Sequence, residues 1–196
     1  RRRGIPVIVD GAHSFAQLVF DRDALDCDYF GTSLHKWLSA PHGTGMLYVR
    51  REKIGELWPL MAAKPEQRED IRKFEEIGTH PIANYLAIAE ALAFHLGIGP
   101  ARKEARLRYL RDRWARRLLE HQRVVLHTSL DPRYSCGIAT VQLEGSDTLA
   151  LQQHLWNAHR ILTVGIVHEQ FQGLRISPNV YTTLDELDRF SEAIEH

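Results

Sequence analysis

Two side chains early in the chain have the types and the spacing for joint covalent chemistry. Asp10 closes the apolar run IPVIVD, and Lys36 stands in GTSLHKWLSAPHGTGMLYV, residues 31–49. A carboxylate at the carboxyl end of a buried strand lies where open α/β sheets bind ligands, although DGAHS is equally good turn chemistry. Lys36 follows twenty-six residues later at a second strand-to-loop junction, directly behind His35 and ahead of Trp37. A strand-end lysine can form a Schiff base with an aldehyde, and a strand-end aspartate can hold a pyridine nitrogen protonated. That is the pair pyridoxal phosphate chemistry requires. The spacing alone only suggests it, because any α/β protein contains such pairs. Ser33 and His35 add donors within reach of a cofactor phosphate; for His35 the competing reading is a buried ring satisfied by backbone. Thr79, between Gly78 and the helix-like HPIAN, puts a hydroxyl and backbone amides at a helix start, where anions bind. Ordinary capping explains it equally well.

The elements needed to position these groups are readable. IPVIVD (5–10), DYFGTS (28–33) and GTGMLYVRR (43–51) read as strands on either side of the two groups. A proline-bearing loop, WPLMAAKPEQRED, precedes a helix with Pro81 in its first turn and Gly97 at its end. A second helix starts at Pro100 and carries Leu107, Leu110, Trp114 and Leu118 on one stripe. Beyond residue 123 the pattern predicts strand–strand–helix–strand–strand–helix, the last helix opened by a Thr183/Glu186 capping box. That order fits a small α+β domain. The expected division is 1–99 for the later part of a large α/β domain, 100–122 for a bridging helix, and 123–196 for the small domain.

Composition narrows the classes. The 196 residues are 44% hydrophobic and 26% charged with a formal net charge of zero, an ordinary globular balance that carries no nucleic-acid or acidic-membrane signature. No apolar run approaches the ~20 residues of a membrane span. Cys27 and Cys136 make neither a disulfide framework nor a zinc CxxC, which sets the expectation of a reduced, cytoplasmic setting. His42, His80, His95, His121, His127, His154 and His159 show no metal-ligand spacing, and no metal site is expected. The arginines of the helix from Pro100 read as a solvated face around its Leu/Trp stripe and not as a nucleic-acid patch. A non-catalytic α/β interaction module stays as a rival reading, disfavoured by the joint presence of Asp10, Lys36 and Arg175. A hydrolase using Asp10 and His13 is weaker, since no G-x-S-x-G elbow is present.

Four stretches, VDGAHS, DYFGTSLHKWLSAPHGTGMLYV, FEEIGTHPIANYLAIAEAL and LRISPNVYTTLDELD, together resemble the class V aminotransferase family of fold-type I pyridoxal phosphate enzymes. The nearest branch is the one with isopenicillin N epimerase-like and cysteine desulfurase- or selenocysteine lyase-like proteins. The resemblance implies an α/β fold: the later part of the large domain, a mostly parallel sheet with helices, followed by a small α+β domain. It implies that Lys36 is the Schiff-base lysine and moves the substrate α-proton, and that Asp10 pairs with the pyridine nitrogen. His13 stands where many relatives have a glutamine touching the cofactor's phenolic oxygen. Ser33 and His35 would bind the phosphate, and Thr79 would reach the phosphate of a neighbouring subunit's cofactor, which implies a homodimer. Arg175 would receive the substrate carboxylate with its planar fork.

Two departures shape the expectation. The family's N-terminal half, with its ring-stacking side chain and further phosphate loop, is not represented, so the chain reads as the later part of a longer protein that binds cofactor poorly without the rest. Desulfurases carry a cysteine before the carboxylate-binding arginine, whereas here the segment is VGIVHEQFQGLRIS. Desulfuration through a protein persulfide is therefore disfavoured. The expected function is transamination of an amino acid or related amine, with epimerisation or elimination as alternatives.

Overall fold

The computed structural model describes residues 3–75 and 77–196; Arg1, Arg2 of the opening arginine run and Glu76 lie outside the described residues. The chain divides into two compact units, Arg1–Pro100 and Ala101–His196.

In the first unit three strands form one sheet: β1 (Ile8–Asp10), β2 (Tyr29–Ser33) and β3 (Gly45–Val49), with β2 in the centre. β1 and β2 are parallel, with Asp10 opposite Gly31. β3 returns antiparallel, with Gly45 opposite Ser33, because the short 34–44 link holds no crossover helix. Both carboxyl ends of the parallel pair thus open on one edge. Phe30 is buried beneath Gly11, where an added Cβ would lie 2.1 Å from the Phe30 ring. Only glycine fits directly behind Asp10. Gly11 N–H continues the ladder to Gly31 O at 2.7 Å, and Thr32 Oγ1 donates to Gly11 O at 3.2 Å.

The helical region after Thr79 differs from the expected single helix. It forms α1 (Ile82–Leu86) and α2 (Ile88–Ile98), separated at Ala87, and Pro81 is the residue before the first turn. Termination falls on Gly99 and not on Gly97. Gly99 takes φ +91°, a region that glycine enters without Cβ strain, and its N–H caps His95 O.

The second unit runs α3 (Pro100–Leu118), β4 (Val124–Leu126), β5 (Ala139–Leu143), α4 (Thr148–His159), β6 (Val164–Val167), β7 (Gln172–Ile176) and α5 (Leu184–Glu195), the predicted order. Its sheet is antiparallel throughout in the order β4-β5-β7-β6. One sheet face, bearing Val141, Leu174 and Ile176, joins the core with Trp114 of α3 and Phe190 of α5. Those two rings meet edge to face at 5.6 Å. Asp147 caps α4 through Ala150 N–H, and the Thr183/Glu186 box opens α5 as expected.

Helices α3 and α5 are tied by two forked ion pairs, Arg113 to Asp188 (2.9 and 2.6 Å) and Arg117 to Glu195 (2.8 and 2.6 Å). The arginine hydrogen bonds hold both carboxyls below their ordinary values. A carboxylate with a depressed folded pKa stabilises the fold above its unfolded pKa of about 4 and loses that contribution as pH falls through the folded value. Acidification below about pH 4 should therefore lower the denaturant midpoint. The Arg113→Gln/Arg117→Gln double variant should show a flatter acid limb in urea titrations followed by circular dichroism; equal acid limbs would deny the pairs that role.

Candidate active site

Asp10 and Ser33 stand at the carboxyl ends of adjacent parallel strands, and Lys36 follows in the turn after β2. An open depression of about 720 Å³ is lined by Asp10, Ala12, Ser33 and Lys36, with Gly31 and Gly45 leaving its floor low. Ala12 N–H donates to Asp10 Oδ1 at 2.9 Å, which orients the carboxylate. The lysine loop is anchored by buried Leu34, Trp37, Leu38 and Ala40, so Lys36 is an amine on a fixed platform.

His13 meets that amine. Its Nε2 lies 3.4 Å from Lys36 Nζ, and Trp37 Nε1–H donates to its Nδ1 at 3.2 Å. An accepting Nδ1 leaves the ring proton on Nε2. The indole thereby sets the tautomer that faces the lysine. Trp37 was not among the site residues anticipated from sequence; the signal available was an indole N–H directly beside the lysine.

The other anticipated residues are placed as follows. His35 does not line the depression: its Nδ1 lies 3.4 Å from Thr44 O, and its ring stands against His42 with centroids 5.5 Å apart. Thr79 is exposed on the loop before α1, outside the depression lining. That region is joined to the lysine loop by Asn84 Nδ2–H donating to His42 O at 3.2 Å. Arg175 lies in the second unit on β7, opposite Thr140 and Val164. Its Nε is buried and has no hydrogen-bond partner, a donor in need of an acceptor. Asp10, His13, Ser33 and Lys36 are thus brought together; His35 is turned to the backbone, Thr79 is on a separate loop, and Arg175 belongs to the other unit.

Both cysteines are buried, Cys27 at 1% exposure and Cys136 at 5%, and burial pushes the Cys136 thiol up to about 11. Among the described residues no three His, Cys, Asp or Glu side chains group as metal ligands.

The sequence profile of one family, aminotransferase class-V, matches residues 1–190. The chain belongs to that family. Among class-V relatives, isopenicillin N epimerase of Streptomyces clavuligerus is 35% identical over 214 aligned positions, which take in 100% of this chain and 53% of that protein. The solved apo cysteine desulfurase of Thermococcus onnurineus NA1 superposes with a TM-score of 0.84 at 22% identity, covering 99% of this chain and 52% of that one. A mutant of C-DES with glycine covalently linked to its pyridoxal phosphate cofactor gives 0.82 at 21% identity, covering 98% and 53%. These likenesses establish an α/β fold of the pyridoxal phosphate-transferase kind. The chain spans about half the length of the curated relatives it matches.

Proposed function

We propose that the protein is a pyridoxal phosphate-dependent enzyme acting on an amino acid or related amine, with aminotransfer as its reaction. The observation that carries this reading is the convergence of Asp10 and Lys36 on one depression at the carboxyl ends of a parallel strand pair.

The residues present fit the cofactor. An amine, a carboxylate and a hydroxyl, the three functions that an aldehyde, a pyridine nitrogen and a phosphate call for, all line one open space with a glycine floor. Lys36 would hold the aldehyde carbon, Asp10 the ring nitrogen and Ser33 the phosphate, with His13 beside the lysine. Pyridoxal phosphate, when bound, supplies an aldehyde for amines and a ring that takes up the electron pair left at a substrate Cα.

The chain's own residues do the rest. Lys36, fixed on its apolar platform, removes the proton from Cα. His13 stands beside the Lys36 nitrogen, and Trp37 holds the His13 ring in place through its Nδ1. The unpartnered Nε of Arg175 supports its reading as the group that takes the substrate carboxylate. Exposed Thr79, away from the depression, suits a donor to a second subunit's phosphate, and we read the whole protein as a homodimer. A persulfide route has no accessible thiol here, since Cys27 and Cys136 are both buried.

Epimerisation is the second reading, favoured by the 35% identical relative named isopenicillin N epimerase. The two differ in where the proton returns: to Cα in epimerisation, elsewhere in aminotransfer. The test is a visible spectrum of the protein with pyridoxal phosphate, then borohydride reduction and peptide mapping. A reduced label on Lys36 is expected. No chromophore in the folded protein would overturn the reading in favour of a non-catalytic module. With the label in hand, oxo-acid formation from an amino donor separates aminotransfer from racemised product.

A further inference from the structure

In the second unit's sheet, register places a row of side chains on the face opposite the core residues. Arg175 on β7 stands across from Thr140 on β5 and Val164 on β6. His127 N–H donates to Thr140 O at 2.9 Å, one step beyond the Leu126–Val141 pair, so His127 falls on the Arg175 face. At the β6–β7 tip, His168 N–H donates to Phe171 O at 2.9 Å, one step beyond the Val167–Gln172 pair. Phe171 immediately precedes β7, four residues before Arg175, and the ladder carried on by the His168–Phe171 bond returns it to the same face by the period of two. Three rings gather there. The Phe171 ring lies 5.4 Å from His127 and 5.9 Å from His168. Gly173, between Phe171 and Arg175, cannot carry a Cβ, which would stand 2.6 Å from Val141 O. Between the rings and the arginine β7 therefore carries no side chain of its own, and Gln142 beside it on β5 holds His127.

The histidines are held in defined states. His127 Nε2 is 2.7 Å from Gln142 Oε1, an oxygen that accepts, so Nε2 carries the proton. His168 Nδ1 accepts Gln170 N–H at 3.3 Å, which leaves Nε2–H as a donor. Both rings are exposed, and Phe171 is half-buried between them.

We propose that His127, Phe171 and His168 form a second recognition point for the substrate whose carboxylate Arg175 receives. This rests on the reading of Arg175 given above. The ligand class is an elongated amino acid whose stem lies on Phe171 and whose far end is a hydrogen-bond acceptor offered to His168 Nε2–H, with the His127 ring held against Phe171 by its bond to Gln142. Four strand residues span about 13 Å between Cα atoms, which sets the ends of such a ligand on the order of 10 Å apart and excludes compact acids such as aspartate.

The test titrates the protein with L-2-aminosuberate and L-2-aminooctanoate, equal in length and differing in the terminal carboxylate. Calorimetry gives Kd, and imidazole ¹H–¹⁵N signals of His127 and His168 report contact. Aminosuberate should bind about tenfold tighter and move the His168 imidazole signal, in line with a charged hydrogen bond. The His168→Ala variant should lose that preference. Equal affinities in the parent, or a preference surviving in the variant, would overturn the proposal. The readout is separate from cofactor attachment. A borohydride label on Lys36 without imidazole shifts discards this surface and keeps the proposed function; shifts without a label do the reverse.

Discussion

Replacing Lys36 by alanine should abolish the borohydride-fixed label and reduce exchange of an amino acid's Cα proton in D₂O by about 10⁴-fold, the upper range for a positioned acid–base group. The fold should survive. The loop owes its shape to buried Leu34, Trp37, Leu38 and Ala40 and to Leu34 N–H and Ala40 N–H bonded at 3.1 Å to Thr44 O and Leu34 O, none of which involves the lysine side chain. Its polar contact is the 3.4 Å approach to His13 Nε2, too long to hold a loop. Thermal unfolding should therefore shift by no more than a surface change does, within about 0.5 kcal/mol. Lys36→Arg sharpens the reading, because it keeps the positive charge on a group that does not give up its proton. If Lys36→Arg retains exchange, the role of position 36 is electrostatic and the nucleophile lies elsewhere. If both variants lose the label and the exchange while unfolding as the parent does, the amine itself is the reacting group.

Much of this arrangement is legible in the residues, for identifiable reasons. Strands β2 and β3 stand out because short apolar runs bounded by Asp28, Gly43 and Gly45 have few other ways to pair. Helix α5 is announced by a local device, the Thr183/Glu186 box, which needs no tertiary context. Asp10 and Lys36 were legible because both side chains sit where a strand ends, and strand ends are marked in sequence. What escaped depends on tertiary contact. The interruption at Ala87 has no breaker residue near it, and Gly97 and Gly99 cannot be ranked as stops without knowing which one takes the positive φ. The Trp37–His13–Lys36 relay joins residues 23 and 24 positions apart, and only the parallel pairing of β1 with β2 brings them together. His35 shows the converse. Its neighbours in sequence suggested a phosphate ligand, while folding sends its Nδ1 to a carbonyl nine residues on. The rings around Phe171 were also beyond reach, since His127 comes against Phe171 only through the β4-β5-β7-β6 strand order.

Asp10→Asn isolates charge from shape. The asparagine Oδ1 can still accept Ala12 N–H, so the turn that Asp10 closes is kept, and Gly11, which only glycine can fill against Phe30, is untouched. What disappears is the negative charge lining the depression with Lys36. If that charge holds a bound ring nitrogen protonated, the label on Lys36 should persist, because attachment needs only the amine. Exchange of the Cα proton should fall by about 10²–10³-fold, the scale of losing one preorganised electrostatic group. Asp10→Glu supplies the opposite perturbation. It restores the charge but lengthens the arm by a methylene, moving the carboxylate and breaking the 2.9 Å bond to Ala12. An activity order of aspartate, then glutamate, then asparagine would mean that charge dominates. Glutamate falling below asparagine would mean that placement dominates, and that the short turn after β1 exists to aim the carboxylate. Equal exchange in Asp10→Asn and the parent would leave Asp10 as a turn cap, the reading that DGAHS also allows, and would move the search for the ring nitrogen's partner to another carboxylate.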